Sequence, residues 1–317
     1  MAIIKEILNP LYDFTQNKKI SYIALGFFDG VHLGHQSLLN LCVSESLKAK
    51  AISTAVIFEP HPEIIINKLN NFFLLTPLEE KVEKIKKIGI DKIVIIKFDE
   101  KFQKCTPEEF LKEILIEKYN MRAVFVGYNY HFGYNKTGDT TLIKNLSSKY
   151  NYIPYILPAK KINDKEDISA TIIKDYINKG QIEKANELLG YNYKITGKVI
   201  SGDNRGNAIL SIPTANIKAN KGKLLPKNGI YISRIKIENS IYKGITNIGF
   251  VPTFKKTNDN MSIETFILNF NKNIYGQNIT LAILKRIRNE IKFVNIDSLK
   301  KQIIKDIIVA EKYFNNV

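Results

Sequence analysis

The first half of the chain alternates short apolar runs with amphipathic segments. The apolar runs have the length of buried strands and are YIALGF, AISTAVIF, KIVIIKF, AVFVGY and IPYILP. Between them, LEEKVEKIKKI and TPEEFLKEILIEKY have the spacing of helices, and Thr106 followed by Glu109 is typical of a capping box. Strands that alternate with helices predict a parallel sheet covered on both faces.

The pattern changes after EKANELLGYNY, where apolar runs follow one another closely and are joined by Gly and Asn turns. These runs are YKITGKVI, GIYISRIKI, IYKGITNI, IETFILNF and ITLAILKRI, and SLKKQIIKDIIVAEKYF follows them as a helix. The second half is therefore predicted to be an antiparallel barrel or sandwich closed by a helix. The change lies near residues 185–192, which predicts two domains, residues 1–186 and 187–317.

The length and charge of the chain limit its partners. A chain of 317 residues is long enough for about two domains of ordinary size. The formal net charge of +16 is compatible with a nucleic-acid surface, but the lysines are spread along the whole chain. This favours scattered, solvated charge that attracts phosphate ligands, and we expect no nucleic-acid partner.

The apolar segments and the cysteines of the chain indicate the cellular compartment of the protein. No apolar run approaches the roughly 20 residues that span a bilayer, and the amino terminus lacks the pattern of a signal peptide. The two cysteines, Cys42 and Cys105, have no CxxC spacing, which argues against a disulfide framework or a cysteine metal site. We therefore expect a cytoplasmic protein with no membrane partner.

The segment GFFDGVHLGH, residues 26–35, follows the first apolar run of the predicted sheet and precedes a predicted helix. In an open parallel sheet, such a loop brings a ligand to the amino terminus of the next helix. Gly26, Gly30 and Gly34 allow close backbone approach, and His32 and His35 lie in the first helical turn. Unpaired N–H groups and the helix dipole favour phosphate at this position.

Two other interpretations of this histidine pair are open. The pair can be two unrelated surface histidines, or half of a zinc site that needs further ligands, for which only His61 and His131 remain. The placement of all four histidines at or just beyond predicted strand ends favours phosphate binding. We expect these loops to meet at one edge of the sheet.

Motifs along the whole chain resemble those of the bacterial bifunctional riboflavin kinase/FAD synthetases. The first half is similar in GFFDGVHLGH, VIFEPHP, LLTPLEEKVEKIKKIGID, VGYNYHFG and KTGD, and the second half in ITGKVISGDNRG, IPTANI, LLPKNGIY, GITNIGFVPTF, ETFILNFNKNIYG and IRNEIKF. The resemblance implies an α/β chain with a Rossmann-like domain of the HxGH nucleotidylyltransferases and a flavokinase barrel closed by a helix.

The resemblance implies two successive reactions. Riboflavin and ATP give FMN and ADP in the second half, and FMN and ATP give FAD and pyrophosphate in the first. The small molecules riboflavin, FMN and ATP are then the partners, and Mg²⁺ is the expected cofactor. Both reactions transfer groups at phosphorus, where a protein mainly positions reactants and stabilises charge.

In the kinase half, the resemblance implies roles for a small set of residues. Glu264 matches the carboxylate that takes the proton of the ribityl 5′-hydroxyl, and Thr214 and Asn216 match the residues that bind Mg²⁺ and the nucleotide phosphates. Gly202 falls in the implied nucleotide loop. From periodicity alone, Glu264 is an outward strand carboxylate with no task, and only the resemblance reverses that interpretation.

In the adenylyltransferase half, the resemblance implies that His32 and His35 orient and neutralise the ATP phosphates. The implied nucleotide contacts are Gly26, Asp29, Gly30, Gly34, Asn129, Ser169 and Thr171. Pro60, His61 and Pro62 resemble a loop that borders the substrates, but a purely turn-forming role fits them equally well.

The chain departs from the family pattern at two places. The second nucleotidylyltransferase signature, usually similar to ISSTRIR, is ISATIIK here, with Ala170, Ile172 and Lys174 at the changed positions. Isoleucine cannot replace a phosphate-gripping arginine fork. In the kinase half, the changed positions are Asn207, Ser211, Ile212 and Val251. Two alternatives therefore stay open: a chain with only one of the two activities, and a flavin- or nucleotide-binding regulator with degenerate sites.

Overall fold

The computed structural model describes residues 4–8, 19–162, 166–201, 214–250 and 261–316. Contacts within the chain divide it into two compact units, Met1–Ser169 and Ala170–Val317. The division lies before the helix Ala170–Lys179, which the sequence analysis assigned to the first domain, and before the helix Ile182–Leu189, in which the predicted boundary falls. The boundary between the two activities, at residues 186/187, stays a prediction.

The first unit contains a six-stranded sheet with the strand order β1-β4-β3-β2-β5-β6. Its strands are β1 Ile4–Leu8, β2 Ser21–Leu25, β3 Ile52–Glu59, β4 Lys92–Lys97, β5 Met121–Gly127 and β6 Ile153–Leu157. The five strands β2 to β6 are parallel, as predicted, and the edge strand β1, which the sequence analysis did not identify, runs antiparallel to β4. A two-stranded ribbon of β7 Lys161–Ile162 and β8 Glu166–Asp167 follows the sheet.

Helices and apolar side chains cover both faces of this sheet. The helices are α1 Leu33–Lys48, α2 Pro62–Ile66, α3 Leu78–Ile88, α4 Pro107–Glu109, which continues into a π-helical segment Phe110–Lys118, and α5 Thr140–Tyr150. Alternate strand residues point to two separate cores, so that Ile23 and Leu25 lie in one and Tyr22 and Ala24 in the other. The capping box of Thr106 and Glu109 is confirmed.

The second unit is built around a closed antiparallel barrel with the strand order β10-β13-β12-β11-β14-β9. Its strands are β9 Tyr193–Ile200, β10 Thr214–Ala219, β11 Gly229–Ile237, β12 Ser240–Phe250, β13 Met261–Ile267 and β14 Asn278–Arg288. The structure thus selects the barrel over the sandwich. The unit begins with α6 Ala170–Lys179 and α7 Ile182–Leu189, and it ends with α8 Ile296–Asn315.

The predicted closing helix, α8, packs on the barrel through apolar contacts and one buried ion pair. Ala310 and Phe314 belong to the same core cluster as Ile232 of the barrel. Arg288 donates hydrogen bonds to both carboxylate oxygens of Asp306 from its Nε, at 3.0 and 3.1 Å, and a third from its Nη2 at 2.6 Å. The residues that the structure describes form no helix that is long and apolar enough to cross a membrane.

Candidate active sites

The loop between β2 and α1 contains the residues that the sequence analysis singled out first. Its backbone takes the left-handed conformation at Gly30, with φ 81°, and also at Phe28 and Val31, with φ 48° and 38°. This conformation is unfavourable for residues other than glycine, and most of all for a β-branched valine. Such strain persists where the surroundings hold the backbone in place, and it concentrates at functional sites.

Thr76, on the segment that leads into α3, holds this loop. Its backbone N–H donates to Asp29 Oδ1 at 3.0 Å, and its hydroxyl accepts from the backbone N–H of Gly30 at 2.8 Å. All three residues are buried. The structure therefore uses Asp29 and Gly30 to fix the loop, whereas their predicted contact with nucleotide stays a prediction. The sequence analysis missed Thr76, although it lies in the quoted segment LLTPLEEK.

His32 and His35 lie side by side at the start of α1. His32 is the N-cap residue, and its Nδ1 accepts a hydrogen bond from the backbone N–H of His35 at 3.4 Å. The two imidazole rings stack with centroids 3.6 Å apart, and the ring of Phe28 meets that of His35 edge-on at 5.3 Å. A Cβ at Gly34 would come within 3.2 Å of the His32 ring, so glycine gives this ring its space.

Both imidazoles are neutral near pH 7. Burial lowers the pKa of His32 to about 4, against a smaller opposing effect of the Asp29 carboxylate. Burial also lowers the pKa of His35 well below its usual value, and the charges of His32 and Lys81 act in the same direction. These rings therefore offer hydrogen bonds to a phosphate rather than positive charge.

Lys81 is a buried ionisable residue close to His35, and Glu59 is a half-buried one close to Lys81. Lys81, on α3, is 1% exposed, and its ammonium is near enough to His35 to lower the pKa of that imidazole. Burial raises the pKa of Glu59, at the end of β3, while Lys81 opposes this effect. Lysine and glutamate side chains are rarely buried unless they have an interaction partner or a functional role. The sequence analysis missed both residues because nothing in their spacing marks them.

The loops after β2, β3 and β5 leave the sheet at the same edge, because these strands are neighbours and parallel. His61 follows β3, where its Nδ1 accepts from the backbone N–H of Glu63 at 3.3 Å and its ring contacts Phe27 and Phe72. His131 follows β5, with its Nδ1 3.0 Å from the carbonyl oxygen of Asn129, an exposed residue. The parallel strand order therefore places the loops that contain the four histidines at one edge of the sheet, as predicted.

The histidines do not form a group of metal ligands in the structure. Within the described ranges, no three His, Cys, Asp or Glu side chains are placed so that they could hold a metal ion. His61 instead caps the short helix α2, in agreement with the structural interpretation of this loop.

The second signature, ISATIIK, begins the helix α6. Ser169 is the last residue before this helix, Thr171 is exposed in its first turn, and Ile172 and Lys174 are half-buried. Ile168, the first residue of this segment, lies close to the loop between β2 and α1 that contains the histidine pair (the histidine loop), since a Cβ at Gly34 would be 3.9 Å from its carbonyl oxygen. Nucleotide contacts of Ser169 and Thr171 stay predictions.

In the barrel, the strand register brings the predicted kinase residues together. Asn216 of β10 lies directly opposite Glu264 of β13. Thr214 is two positions before Asn216 and therefore lies on the same face of the strand. Glu264 is half-buried and alternates with the buried Ile263 and Thr265, so its side chain is on the outer face of the barrel wall.

A cavity of about 330 Å³ opens beside Thr214. Its lining includes Phe270 and Tyr275, which offer aromatic surface, and Lys272, which offers positive charge. This volume is at the lower end of the range of small-molecule sites. The predicted site residue Gly202 and the departures at Asn207, Ser211, Ile212 and Val251 lie outside the described residues.

Comparison with known proteins finds similarity along the whole chain. The family model for FAD synthetase matches residues 14–172, and that for riboflavin kinase matches residues 189–314. Two curated relatives are each described as a bifunctional riboflavin kinase/FMN adenylyltransferase. The one from Buchnera aphidicola subsp. Schizaphis graminum is 35% identical over 98% of this chain and 99% of its own length. The one from Bacillus subtilis is 34% identical over 98% of each chain.

A solved structure shares the fold. A Streptococcus pneumoniae crystal structure, described as a macrolide-efflux protein, aligns with a TM-score of 0.84 and 28% sequence identity. The alignment covers 96% of this chain and 97% of the other. The similarity thus extends across both units of the chain.

Proposed function

The chain belongs to the family of bifunctional riboflavin kinase/FMN adenylyltransferases, and we propose that its two reactions take place at the two sites described above. The kinase centre lies on the outer face of the barrel at Glu264, Asn216 and Thr214. The adenylyltransferase centre lies at the histidine loop between β2 and α1. The assignment of the kinase centre rests on the pairing of Asn216 with Glu264 across neighbouring strands.

Glu264 acts as the general base of the kinase reaction. The 5′-hydroxyl oxygen of riboflavin forms a bond to the γ-phosphorus of ATP, its proton goes to the Glu264 carboxylate, and ADP leaves. A half-buried carboxylate at a fixed strand position suits this task, because a base must lie within hydrogen-bond reach of the hydroxyl. The cavity beside Thr214 then receives part of a substrate, with ring surface from Phe270 and Tyr275.

The donor set at this centre fits Mg²⁺. Thr214 offers a hydroxyl oxygen and Asn216 an amide oxygen, and Glu264 is a carboxylate opposite them. Mg²⁺ prefers oxygen ligands and commonly takes only one or two from the protein, with the rest from phosphates and water. Thr214 and Asn216 would hold the ion, which when bound offsets the negative charge of the phosphates.

The adenylyltransferase reaction needs no base, because the phosphate of FMN is already an anion. Its oxygen forms a bond to the α-phosphorus of ATP, and pyrophosphate leaves. His32 and His35 donate hydrogen bonds to phosphate oxygens at the start of α1, where the helix dipole adds to the attraction. Because burial lowers the pKa of both imidazoles, they orient the ATP phosphates through hydrogen bonds, and lysines such as the buried Lys81 supply positive charge at this edge.

ATP, riboflavin and FMN are the small-molecule partners of the chain. A location in the cytoplasm agrees with the low number of cysteines in the sequence, which is typical of a reducing compartment.

The test is an assay with two substrates on the purified full-length protein. One reaction contains riboflavin, ATP and Mg²⁺, the other contains FMN, ATP and Mg²⁺, and FMN and FAD are separated by chromatography. We expect both products in the first reaction and FAD in the second. If the first reaction stops at FMN and the second gives no FAD, the assignment of the histidine loop as a working centre is wrong.

A further inference from the structure

Asn247, on β12, is a third polar residue beside Glu264. It lies directly opposite Glu264 across the pair β12–β13, just as Asn216 does across β10–β13. Residues directly opposite in an antiparallel pair point to the same face, with Cβ atoms about 4.5–5.5 Å apart. Asn216, Glu264 and Asn247 therefore form a row across three neighbouring strands on the outer face of the barrel, with the carboxylate at its centre.

The side chain of Asn247 carries an unused acceptor. Its Oδ1 is shielded from solvent, yet no donor from the described ranges of the chain bonds to it. On the side away from Glu264, its neighbour across β11 is the apolar Ile230. A buried acceptor without a donor is destabilising, so such a group indicates a ligand that supplies the donor.

The surroundings of Asn247 favour a hydroxyl group over a phosphate as that ligand. Two positions further along the same face, Gly249 has no side chain, and the Glu290 carboxylate fills the place where a Cβ would lie. Asn228 Nδ2 donates to the other oxygen of this carboxylate at 3.1 Å. With Glu264 on one side and Glu290 ahead, the Asn247 acceptor lies between two carboxylates, where an anion is repelled and a hydroxyl group is attracted.

The two substrates of the kinase reaction differ in the groups they offer here. The triphosphate of ATP offers oxygen acceptors, whereas the ribityl chain of riboflavin offers secondary hydroxyls beside the reacting one. We propose that Asn247 is a substrate-binding residue of the kinase centre whose Oδ1 accepts a hydrogen bond from a secondary hydroxyl of the ribityl chain. This inference rests on the proposed position of the kinase centre at Glu264.

The bond serves both orientation and selectivity. A second anchor one strand away from the base restricts rotation of the polyol, so that the terminal hydroxyl stays directed at Glu264. A site that bonds a hydroxyl also rejects analogues without it, because the buried acceptor is then left unpaired. Asn247 thus favours substrates with a hydroxylated chain over flavins with a plain alkyl chain.

The experiment combines a protein change with a substrate change. Asn247→Leu keeps the size of the side chain and removes the acceptor, and kcat/KM is measured with riboflavin, 3′-deoxyriboflavin and 4′-deoxyriboflavin. We expect Asn247→Leu to lose about tenfold with riboflavin, because the hydrogen bond is lost and the ribityl hydroxyl then faces an apolar side chain that accepts no hydrogen bond. With one of the two deoxy analogues, we expect kcat/KM of the wild type to fall about tenfold below its value for riboflavin. For Asn247→Leu, we expect the same analogue and riboflavin to give equal kcat/KM values.

Several results would overturn the inference. These are a loss in Asn247→Leu that is the same factor for all three substrates, a change in KM for ATP instead of riboflavin, or no change at all. Thr246→Val is the matched control, because Thr246 is the neighbouring residue on the same strand but points into the barrel, where it bonds to Thr265 and Ser233. It should change stability and leave the ratio between the three substrates unaltered.

Folding and the proposed function are checked separately. FMN adenylylation by the same preparation of Asn247→Leu shows that the chain is folded, since that centre lies in the other unit. Asn247→Ser, which restores a hydroxyl acceptor, should recover part of the lost kcat/KM. If Glu264→Gln keeps kinase activity, the position of the centre is wrong. If Glu264→Gln is inactive and Asn247→Leu discriminates no substrate, only the inference about Asn247 fails.

Discussion

The imidazole rings of His32 and His35 stack at 3.6 Å, and burial lowers the pKa of both. A pair of rings at this distance cannot carry two positive charges without strong repulsion, which is part of why the pKa of His35 lies well below its usual value. The histidine loop therefore contains two neutral rings, and protonation of either ring at low pH destabilises the folded protein.

We expect the free energy of unfolding to fall below pH 6.5. The pKa of His32 is about 4 in the folded protein, and that of histidine in an unfolded chain is about 6.5. The unfolded chain binds more protons between these values, so the stabilisation is complete above about pH 6.5 and is lost as the pH falls towards 4. For His32 alone the loss is roughly 3 kcal/mol.

His32→Asn tests this pH dependence, because asparagine keeps the N-cap of α1 but does not titrate. Urea unfolding followed by circular dichroism at pH 7.5 and pH 5.0 should show a smaller difference for His32→Asn than for wild type. Equal pH dependence in the two proteins would mean that His32 is protonated normally in the folded state.

Replacing His35 with alanine should damage only the adenylyltransferase. Loss of one preorganised hydrogen bond to a phosphate lowers the rate by about 10²-fold or more, and we expect this loss in FAD formation from FMN and ATP. FMN formation from riboflavin should stay near wild type, because Glu264 lies in the other compact unit. Loss of both activities together would indicate misfolding or a single shared centre.

Replacing Glu264 with glutamine should have the opposite effect. Glutamine keeps the shape of the side chain but accepts no proton, and a general base contributes about 10²–10⁴-fold. We expect FMN formation to fall by that factor, while conversion of supplied FMN to FAD is unchanged. Stopped-flow and steady-state rates with riboflavin as substrate measure the first effect, and chromatography with FMN as substrate measures the second. Normal kinase activity in Glu264→Gln would exclude its role as the base.

The buried ion pair between Arg288 and Asp306 should stabilise the second unit. The Asp306 side chain is 5% exposed and receives three hydrogen bonds from Arg288. Removal of Arg288 leaves the buried Asp306 carboxylate uncompensated, so Arg288→Ala should lose about 3–5 kcal/mol. Asp175→Ala, which breaks the exposed pair with Lys179, is the control and should lose about 0–1 kcal/mol. Urea unfolding compares the two variants, and equal losses would contradict the expected anchoring of α8.

The sequence predicted the helices and strands better than it predicted which residues contact one another. Strands with continuous apolar runs, such as β3 and β4, were found because burial on both faces demands such runs. β10 was missed because TANIKA has few apolar residues, and the polar ones include Thr214 and Asn216 of the proposed kinase centre. β1 was missed because an edge strand needs less apolar character.

Contacts between residues far apart in the chain could not be predicted from the sequence. Thr76 bonds to Asp29 across 47 residues, and no local pattern marks either as the partner of the other. The row of Asn216, Glu264 and Asn247 depends on β13 lying between β10 and β12, which is set by closure of the barrel. The histidine loop was predicted because its chemistry lies within ten consecutive residues, whereas Lys81 and Asn247 required the fold.

The second signature, ISATIIK, has an isoleucine at residue 172 where the family resemblance implies an arginine. The FAD synthetase model ends its match at residue 172, where this chain has a half-buried isoleucine in the first turn of α6. The resemblance places a phosphate-gripping arginine at this position. A lysine such as Lys174 or Lys136 supplies positive charge but not the planar fork that binds two phosphate oxygens at once, so we expect a weaker hold on ATP.

Ile172→Arg should therefore raise FAD synthesis. If the charged hydrogen bonds form, the gain is up to about 1.5–3 kcal/mol in the free energy of the transition state, or roughly 10- to 150-fold in kcat/KM for ATP. Ile172→Met is the matched control, because it keeps an apolar side chain of similar size and adds no charge, and it should leave FAD synthesis unchanged. The kinase reaction should be the same in all three proteins. A folded Ile172→Arg protein with equal or lower FAD synthesis would show that another cation already serves the phosphates, and that the isoleucine belongs to a rearranged site rather than a weakened one.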